Sequence, residues 1–406
     1  MRLYAVGRVA SQFRETVVAR ITTGPIADPN RRGDHAALVV AGSEDAFCGD
    51  FAGYAAVLGD HHPALLNHGA SAPAVVVEAP NVSSLQTGDV VGIDPSGTVR
   101  FLFRKSSAYN SILVTERCNS RCLMCSQPPR ERDDTGRLRE HLRLIELIDP
   151  EACELGITGG EPTLLNKGFF EIVEHSKRYL PHTALHVLTN GRLFYYSDFA
   201  RRLGAIRHPD VMLGIPVYSD IDHEHDFIVQ AEGAFDQTIV GLLNLARYRV
   251  PIEIRVVLHA LTYKRLPELA EFIYRNLPFA AHVAFMGMEM VGYAHRNLRL
   301  LWIDPWDYGD PLEHATLYLA ERGMKVSVYN LQLCVLPRSL WPFARKSISD
   351  WKNIYLPVCS ACAARPSCAG FFESAAKRHS EHIRPLVEIV DKEAFHSLTV
   401  VSSKRP

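Results

Sequence analysis

No apolar run in this chain approaches the ~20 residues that a bilayer-spanning helix needs. The opening stretch Met1-Arg-Leu-Tyr-Ala-Val-Gly-Arg8 lacks the apolar core of a secretory leader, so the cytoplasm is the expected location and no membrane partner is expected. Excess charge of either sign is also missing, with a net charge of −1 and a pI near 7.0. Phosphate binding ordinarily shows as a surplus of Lys and Arg, so nucleic acid is disfavoured as the main partner. A disulfide framework is not indicated either. The nine Cys are an odd number and seven of them fall into two clusters, a pattern that reads as metal binding in a reducing compartment. The other two read as ordinary residues, Cys48 in the turn Phe47-Cys-Gly-Asp50 and Cys153 as a small buried residue opening Cys153-Glu-Leu-Gly-Ile157.

What is present is enough apolar sequence, 47% of 406 residues, to bury a sizeable core in two or three domains. From about residue 110 to 330, short β-rich runs alternate with longer amphipathic ones, the pattern of βα units around a parallel sheet. Strands are expected at Ser111–Thr115, Glu154–Thr158, Leu185–Thr189, Val211–Val217, Ile252–Leu258 and His282–Met286. Helical stripes lie between them: Leu138, Leu142, Ile145 and Ile148; Phe235, Ile239, Leu242 and Ala246; Leu266, Leu269, Phe272 and Ile273. Six units are two short of a closed eightfold barrel, so the expected fold is α/β, a partial and laterally open (βα)6 barrel. Residues 1–105 carry β-branched pieces separated by turn residues, as in Gln86-Thr-Gly-Asp89, and are expected to form a mostly β domain. Its expected role is a structural cap or a peptide-docking module that works by strand addition to a sheet edge. Residues 106–330 would be the barrel and 331–406 a small Cys-rich extension with a tail.

In parallel sheets of this kind, sites assemble where strands end and loops begin. After the first strand stand Cys118, Cys122 and Cys125, at CX3CX2C spacing. Three thiolates on an iron–sulfur cluster leave one iron with an open position, and that iron can chelate the amino and carboxylate groups of S-adenosylmethionine (SAM). A zinc knuckle would need a fourth ligand nearby, and residues 126–140 contain no Cys or His. After the second strand comes Gly159-Gly160-Glu161-Pro162, where two glycines allow close backbone approach and the carboxylate can pair with an ammonium group. After the third come Thr189 and Asn190, a hydroxyl and an amide able to meet a ribose or a carboxylate, or simply a turn. Arg255, inside an apolar strand, needs an anionic partner if buried; the cofactor carboxylate and an internal carboxylate serve equally well. His223-Glu-His-Asp226 is expected in a solvated or substrate-facing loop after the fourth strand, with a metal site as the weaker alternative. No residue among His186, His225 and Tyr218 is singled out as a catalytic acid or base.

The second Cys group has CX2CX5C spacing through Cys359, Cys362 and Cys368, with Cys334 upstream as a fourth ligand. Four thiolates can close a [4Fe–4S] cluster completely, and zinc held by the same set is the alternative.

Across residues 110–330 these motifs resemble the radical SAM superfamily. The resemblance implies a SAM-binding [4Fe–4S] cluster on Cys118, Cys122 and Cys125, with Gly159, Gly160, Glu161, Pro162, Thr189, Asn190 and Arg255 around the cofactor. Met124 stands where the superfamily usually has an aromatic residue, and it is expected to pack against the adenine. The tail from Cys334 to Phe372 is similar to the SPASM/Twitch extensions of peptide maturases. A full SPASM domain uses seven Cys and four are present, so one Twitch-like auxiliary [4Fe–4S] cluster is implied. More narrowly, Asn110–Pro129, Gly156–Thr163 and Ser347-Ile-Ser-Asp-Trp-Lys352 resemble the C-type maturase of the His-Xaa-Ser system. That resemblance implies a ribosomally made peptide as substrate, a second, paired radical SAM protein, a reductant such as flavodoxin or ferredoxin, and a cross-link or other oxidative modification as product. The alternatives are an enzyme acting on RNA or a small molecule, and a non-catalytic iron–sulfur sensor.

Overall fold

The computed structural model describes residues 4–11, 13–41, 47, 50–61, 74–134, 136–346, 353–376 and 378–387. Cys48 and the stretch Ser347–Lys352 lie outside them. No helix among the described residues is long and apolar enough to cross a membrane.

Among the described residues the N-terminal part holds eight strands: β1 Tyr4–Val6, β2 Arg8–Val9, β3 Val17–Thr22, β4 His35–Val39, β5 Ala56–Gly59, β6 Ala74–Val77, β7 Val90–Ile93 and β8 Thr98–Phe103. Their order is β1-β8-β7-β3-β4-β5-β6-β2, with β3 to β6 mutually parallel and the other pairs antiparallel. β1 and β2 are one extended stretch broken at Gly7, so pairing of β1 with β8 and of β2 with β6 closes the sheet into a small barrel. Gly7 permits the closure, because a Cβ there would stand 2.6 Å from the Val77 carbonyl oxygen. Its N–H donates to Gly97 at 3.0 Å. A closed sheet has no free edge, so the expected docking by strand addition finds no edge among the described residues. The sequence concealed this because strands of two and three residues are too short to show alternation.

The barrel is filled by small and branched side chains such as Ala19, Ile21, Leu38, Leu58, Val76 and Val91. On one outer side, Val18, Val90 and Phe103 join the core around Leu144, Leu147 and Ile148 of helix α1 (Arg137–Leu147) and its C-cap. Arg20 donates twice, at 2.7 and 3.0 Å, to the Leu147 carbonyl, one of the carbonyls that the end of α1 leaves unpaired. Arg100 pairs with Glu140 at 2.6 Å. Each buried apolar side chain contributes about 1.5–3 kcal/mol and a partly exposed ion pair about 1 or less. The apolar seam therefore holds this junction, and the charges set its register.

The larger half is an all-parallel sheet: β9 Asn110–Leu113, β10 Glu154–Thr158, β11 Ala184–Leu188, β12 Val211–Pro216, β13 Ile252–Leu258, β14 His282–Gly287, β15 Val326–Tyr329 and β16 Ala344–Arg345, in sequential order. Six strands match the expected ones within two residues at each end; β15 and β16 extend the sheet to eight without closing it. The crossover helices are α1, α2 (Lys167–Tyr179), α3 (Ser197–Ile206), α4 (Asp222–Val229), α5 (Ala234–Arg247), α6 (Leu266–Asn276), the short α7 (Gly292–Arg296) and α8 (Leu298–Leu301), and α9 (Gly309–Glu321). Along each strand, alternate residues such as Leu155, Ile157, Val283 and Phe285 face the helices, and the others face the lumen. Cys153 precedes β10 and is exposed, not buried as expected, because the strand's helix-facing alternation begins at Leu155.

Candidate active site

The loop Glu116–Ser126 leaves the end of β9 and is fixed by contacts from four other strand ends. From the loop after β10, the Gly160 N–H donates to the Thr115 carbonyl and the Glu161 N–H to the Arg117 carbonyl, both at 2.8 Å. A Cβ on Gly159 would stand 2.5 Å from the Thr115 oxygen, and one on Gly160 would overlap the Arg117 carbonyl. The two glycines are therefore required by the chain's own cysteine loop, whatever ligand lies above it. After β11, the Asn190 amide donates to the Asn119 side chain at 2.6 Å, and Arg192 reaches the Asn119 carbonyl and, at 3.0 Å, the Ser120 hydroxyl. The last turn of α4 receives the Arg121 and Leu123 N–H groups on the Val229 and Ile228 carbonyls at 3.0 and 2.9 Å. From the segment after β14, the Tyr293 N–H donates to the Cys125 carbonyl at 2.8 Å and Asn297 to the Leu123 carbonyl at 2.9 Å. Gly292, with φ +61°, fits against Cys125, where a Cβ would stand 2.5 Å from its carbonyl oxygen.

Glu161 is fully buried. Its Oε1 accepts from the Thr163 N–H (3.0 Å), the Thr163 hydroxyl (2.6 Å) and the Thr189 hydroxyl (2.6 Å), and its Oε2 accepts from the Asn190 N–H (2.6 Å). Burial pushes the carboxyl above its usual range while these donors pull it down. The side chains of Glu161 and Thr189, expected to meet a ligand, here bond each other and clamp the β10 loop to the β11 loop. The Asn190 side chain, expected to do the same, bonds the cysteine loop. Pro162 opens the short helix Pro162–Leu165 that Glu161 caps. Met124 is also turned inward: it is buried with Tyr218, Ile228, Val229 and Ala294, where it seats the cysteine loop on α4 and α7.

Arg255 stands on the lumen face of β13. Its anionic partner is internal, Glu253 at 3.4 Å, and a second guanidinium nitrogen lies 2.9 Å from the Met286 sulfur. His223–Asp226 is part of α4 and not a loop. Asp222 and Glu224 lie in its first turn, where carboxylates favour a helix start, and the Ser219 hydroxyl donates to Glu224 at 2.7 Å. His225 is buried, its Nδ1 accepts from the Tyr218 N–H at 3.2 Å, and burial lowers its pKa to about 4. The Asp226 carboxylate accepts from the Gly233 and Phe235 N–H groups at 2.5 and 2.7 Å. These bonds tie both groups to neighbouring backbone, so the metal reading has no support, and no three His, Cys, Asp or Glu side chains among the described residues form a single-ion site.

Cys118, Cys122 and Cys125 are all half-buried. Burial, with the neighbouring thiols adding, pushes Cys122 up to about 12. Burial pushes Cys118 up to about 11, with Glu161 and Cys125 adding and the Ser120 N–H, 3.4 Å from its sulfur, opposing. Thiols arranged so that their thiolates repel one another fit a positively charged iron group, which reverses that penalty on binding.

The second group also converges. Cys334, Cys359, Cys362 and Cys368 line one cavity of ≈ 320 Å³, partly open to solvent, with Tyr355 and Arg365 at its wall. Burial pushes Cys334 and Cys368 up, opposed at Cys368 by the Gly370 and Leu333 N–H groups and at Cys334 by that of Arg384. The Leu386 N–H points at the Cys362 sulfur at 3.4 Å. Four thiols ringed by backbone donors suit an iron–sulfur group, whose potential such donors tune. Between this cavity and the ends of β13, β14 and β15 lies a cleft of ≈ 540 Å³, sharing Gln332 and Phe371 with it and bordered by Leu258, Gly287, Asn330 and Arg378.

Arg192, Asn119, Gly292 and Asn297 were missed by sequence reading. Only Arg192 gave a signal, as a cation directly after the Thr189-Asn-Gly191 turn.

The radical SAM superfamily model matches residues 112–273. Among curated proteins, the GTP 3',8-cyclase of Heliobacterium modesticaldum is 26% identical over 55% of this chain and 66% of its own length. That of Nautilia profundicola is 34% identical over 25% of this chain and 32% of its own. The chain thus spans between about a third and two thirds of the length of these relatives. Among solved structures, Streptococcus suis SuiB bound to S-adenosylmethionine aligns at TM-score 0.43 and 16% identity over 54% of this chain and 49% of that one. Native anSMEcpe with bound AdoMet aligns at TM-score 0.41 and 18% identity over 54% and 62%. Residues 112–273, with a three-thiol loop at the C-terminal end of a parallel sheet, match the radical SAM superfamily and have its fold.

Proposed function

We propose that the chain is a radical SAM enzyme that removes hydrogen from a ribosomally made peptide of the His-Xaa-Ser type and leaves an oxidative linkage. The observation that carries the enzyme reading is the half-buried three-thiol loop pinned by four other strand ends. When bound there, SAM on an iron–sulfur cluster supplies a carbon radical able to abstract hydrogen. Cys118, Cys122 and Cys125 would hold the cluster. The Glu161 clamp and Arg192 keep the loop's backbone in register. Gly159 and Gly160 let the loop after β10 close on the backbone of the cysteine loop, and the guanidinium donors of Arg255 beyond its pairing with Glu253 would serve the cofactor carboxylate. Cys334, Cys359, Cys362 and Cys368 would hold an auxiliary cluster able to take up the electron that a net oxidation releases.

The peptide substrate rests on the sequence resemblance and on the second thiol cavity with its adjoining cleft. The matches to GTP cyclases favour a second reading, a small-molecule substrate in the same lumen. Tandem mass spectrometry of a His-Xaa-Ser peptide, co-expressed anaerobically with this chain and its paired radical SAM protein, separates the two. Loss of hydrogens at defined residues, absent with Cys118→Ala, is the expected result. An unmodified peptide alongside continued 5′-deoxyadenosine formation would discard the peptide and keep the radical chemistry.

A further inference from the structure

Groups that exchange protons run in a row across the lumen face of the parallel sheet. Glu154 on β10 lies 3.8 Å from His186 Nδ1 on β11, and His186 Nε2 lies 3.5 Å from Glu253 Oε1 on β13. Glu253 Oε2 is 2.8 Å from His282 Nδ1 on β14, and His282 Nε2 is 3.0 Å from the Ser327 hydroxyl on β15. The Tyr329 ring packs edge-on against His282, with centroids 6.4 Å apart. Arg255 on β13 and Arg345 on β16 are the cations that face the row. β12 adds no titratable side chain to this face.

Sheet stability does not ask for such a row, since buried charges cost more than apolar residues of equal volume unless they are well paired. Space is reserved beside it instead. Gly156, Gly214 and Ala284 occupy the same face, and a Cβ on Gly214 would stand 3.1 Å from His186 Nε2 and 2.9 Å from Arg255 Cδ. His186 Nε2 is the member left over. It is buried and, among the described residues, has only the long contact to Glu253 at 3.5 Å, at the limit of a hydrogen bond. Burial alone would raise the Glu253 carboxyl, but His186, His282 and Arg255 outweigh it and hold the group well below the usual carboxylate range. Glu253 is thus a fixed anion between two imidazoles.

We propose that His186 Nε2 is the proton acceptor of the lumen, taking the proton that a substrate group must lose as its oxidation is completed, with Glu253, His282 and Ser327 sharing the charge. This rests on the oxidative reading above. Joining a C–H carbon to an X–H atom of the substrate forms C–X and releases one hydrogen atom, one electron and one proton. The hydrogen atom goes to the SAM-derived acceptor, the electron to the iron–sulfur group of the Cys334 cavity, and the proton to His186. His186 acts as the catalytic base; Glu253 and His282 position it and stabilise its cation.

The test uses the full-length, cluster-loaded protein. In His186→Gln, 5′-deoxyadenosine release should stay within about threefold of the parent while oxidised peptide falls about 10²-fold. By nitrogen-15 histidine NMR of the oxidised protein at a single pH, Glu253→Gln should move the ring resonances of both His186 and His282. Equal falls in deoxyadenosine and product, or ring resonances unmoved by Glu253→Gln, would overturn the assignment. Should the buried variants not fold, Ser327→Ala removes only a hydroxyl and must move the His282 ring resonances; unmoved resonances overturn the row. The spectra need no substrate, so a parent that leaves the peptide unoxidised defeats the peptide reading alone.

Discussion

The two thiol groups of this chain are built in opposite ways. The first packs three Cys into eight residues and depends on the ends of other strands for its shape: Glu161, Asn190, Arg192, Tyr293 and Asn297 all come from elsewhere. The second spreads four Cys from residue 334 to 368 through short 3-10 turns and two-residue strands, and Cys334, Cys362 and Cys368 meet backbone N–H groups of the flanking residues Leu333, Gly370, Arg384 and Leu386. A site shaped by its scaffold keeps that shape when empty. One shaped by turns rests on the main apolar core through Leu333, Ala364 and Leu386 but has no regular elements around its sulfurs, so a metal bound there would add directly to its folding energy.

Breaking one ligand in each group gives the largest expected effect. Cys118→Ala should abolish SAM cleavage and lower iron by about four atoms of about eight, leaving thermal unfolding of the barrel nearly unchanged. Cys359→Ala should also remove about four iron atoms and, unlike the first variant, expose residues 353–387 to limited proteolysis. Iron equal to the parent's in Cys359→Ala would assign the second group to zinc or to no metal.

Next in size is the clamp. Glu161→Gln places an amide nitrogen among four donors in a fully buried site, and an unsatisfied buried set of this kind costs about 3 kcal/mol. Urea unfolding should show that loss, and SAM affinity should fall while the iron of the second group stays. Equal loss of iron from both groups would mean that the two sites are not built independently.

Residue type and spacing made the chemistry of both groups legible, as periodicity did six of the eight parallel strands. Position explains what was not. Val326–Tyr329 reads as a strand only once the three helices before it are known to intervene, and Ala344-Arg345 is too short to carry a pattern. Gly159 and Gly160 were recognised as close-approach residues, but sequence does not say what approaches; here it is the Thr115 and Arg117 carbonyls. Glu161 was read as a carboxylate able to pair with the cofactor's ammonium group; the donors that surround it here, Thr163, Thr189 and Asn190, include two whose proximity exists only in the fold. The closing of the N-terminal sheet depends on two strands joined at Gly7, which no local signal marks.

Acid should loosen the scaffold-built region before the turn-built one. His141, His225 and His259 all lie in the parallel-sheet half, and burial lowers their pKa values to about 4, 4 and 3. The unfolded chain binds these protons near 6.5 and the folded one only below 4, so the stability they add is present above 6.5 and lost as pH falls toward 4. Between pH 6.5 and 5.5 the expected loss is about 1 kcal/mol for each, about 3 together. Urea midpoints at the two values measure it, and His259→Gln should remove about a third of the slope.

The smallest effect tests the turn-built region from its surface. Residues 380–386 run back over the second thiol cavity: Glu381 N–H bonds Asp304 at 3.1 Å, the His382 ring stacks on Trp306 at 4.6 Å, and the Leu386 carbonyl accepts from Ala363 at 2.8 Å. Trp306 is 43% exposed, so its contribution is the stacking itself, about 0.5–1.5 kcal/mol. Trp306→Ala with His382→Ala in a double-mutant cycle should return a coupling in that range. Because the same segment carries the Arg384 and Leu386 N–H groups to the Cys334 and Cys362 sulfurs, its loosening should speed the loss of metal from the second group to a chelator. The first group, held from four other strand ends and untouched by this strap, should lose its iron at the parent's rate.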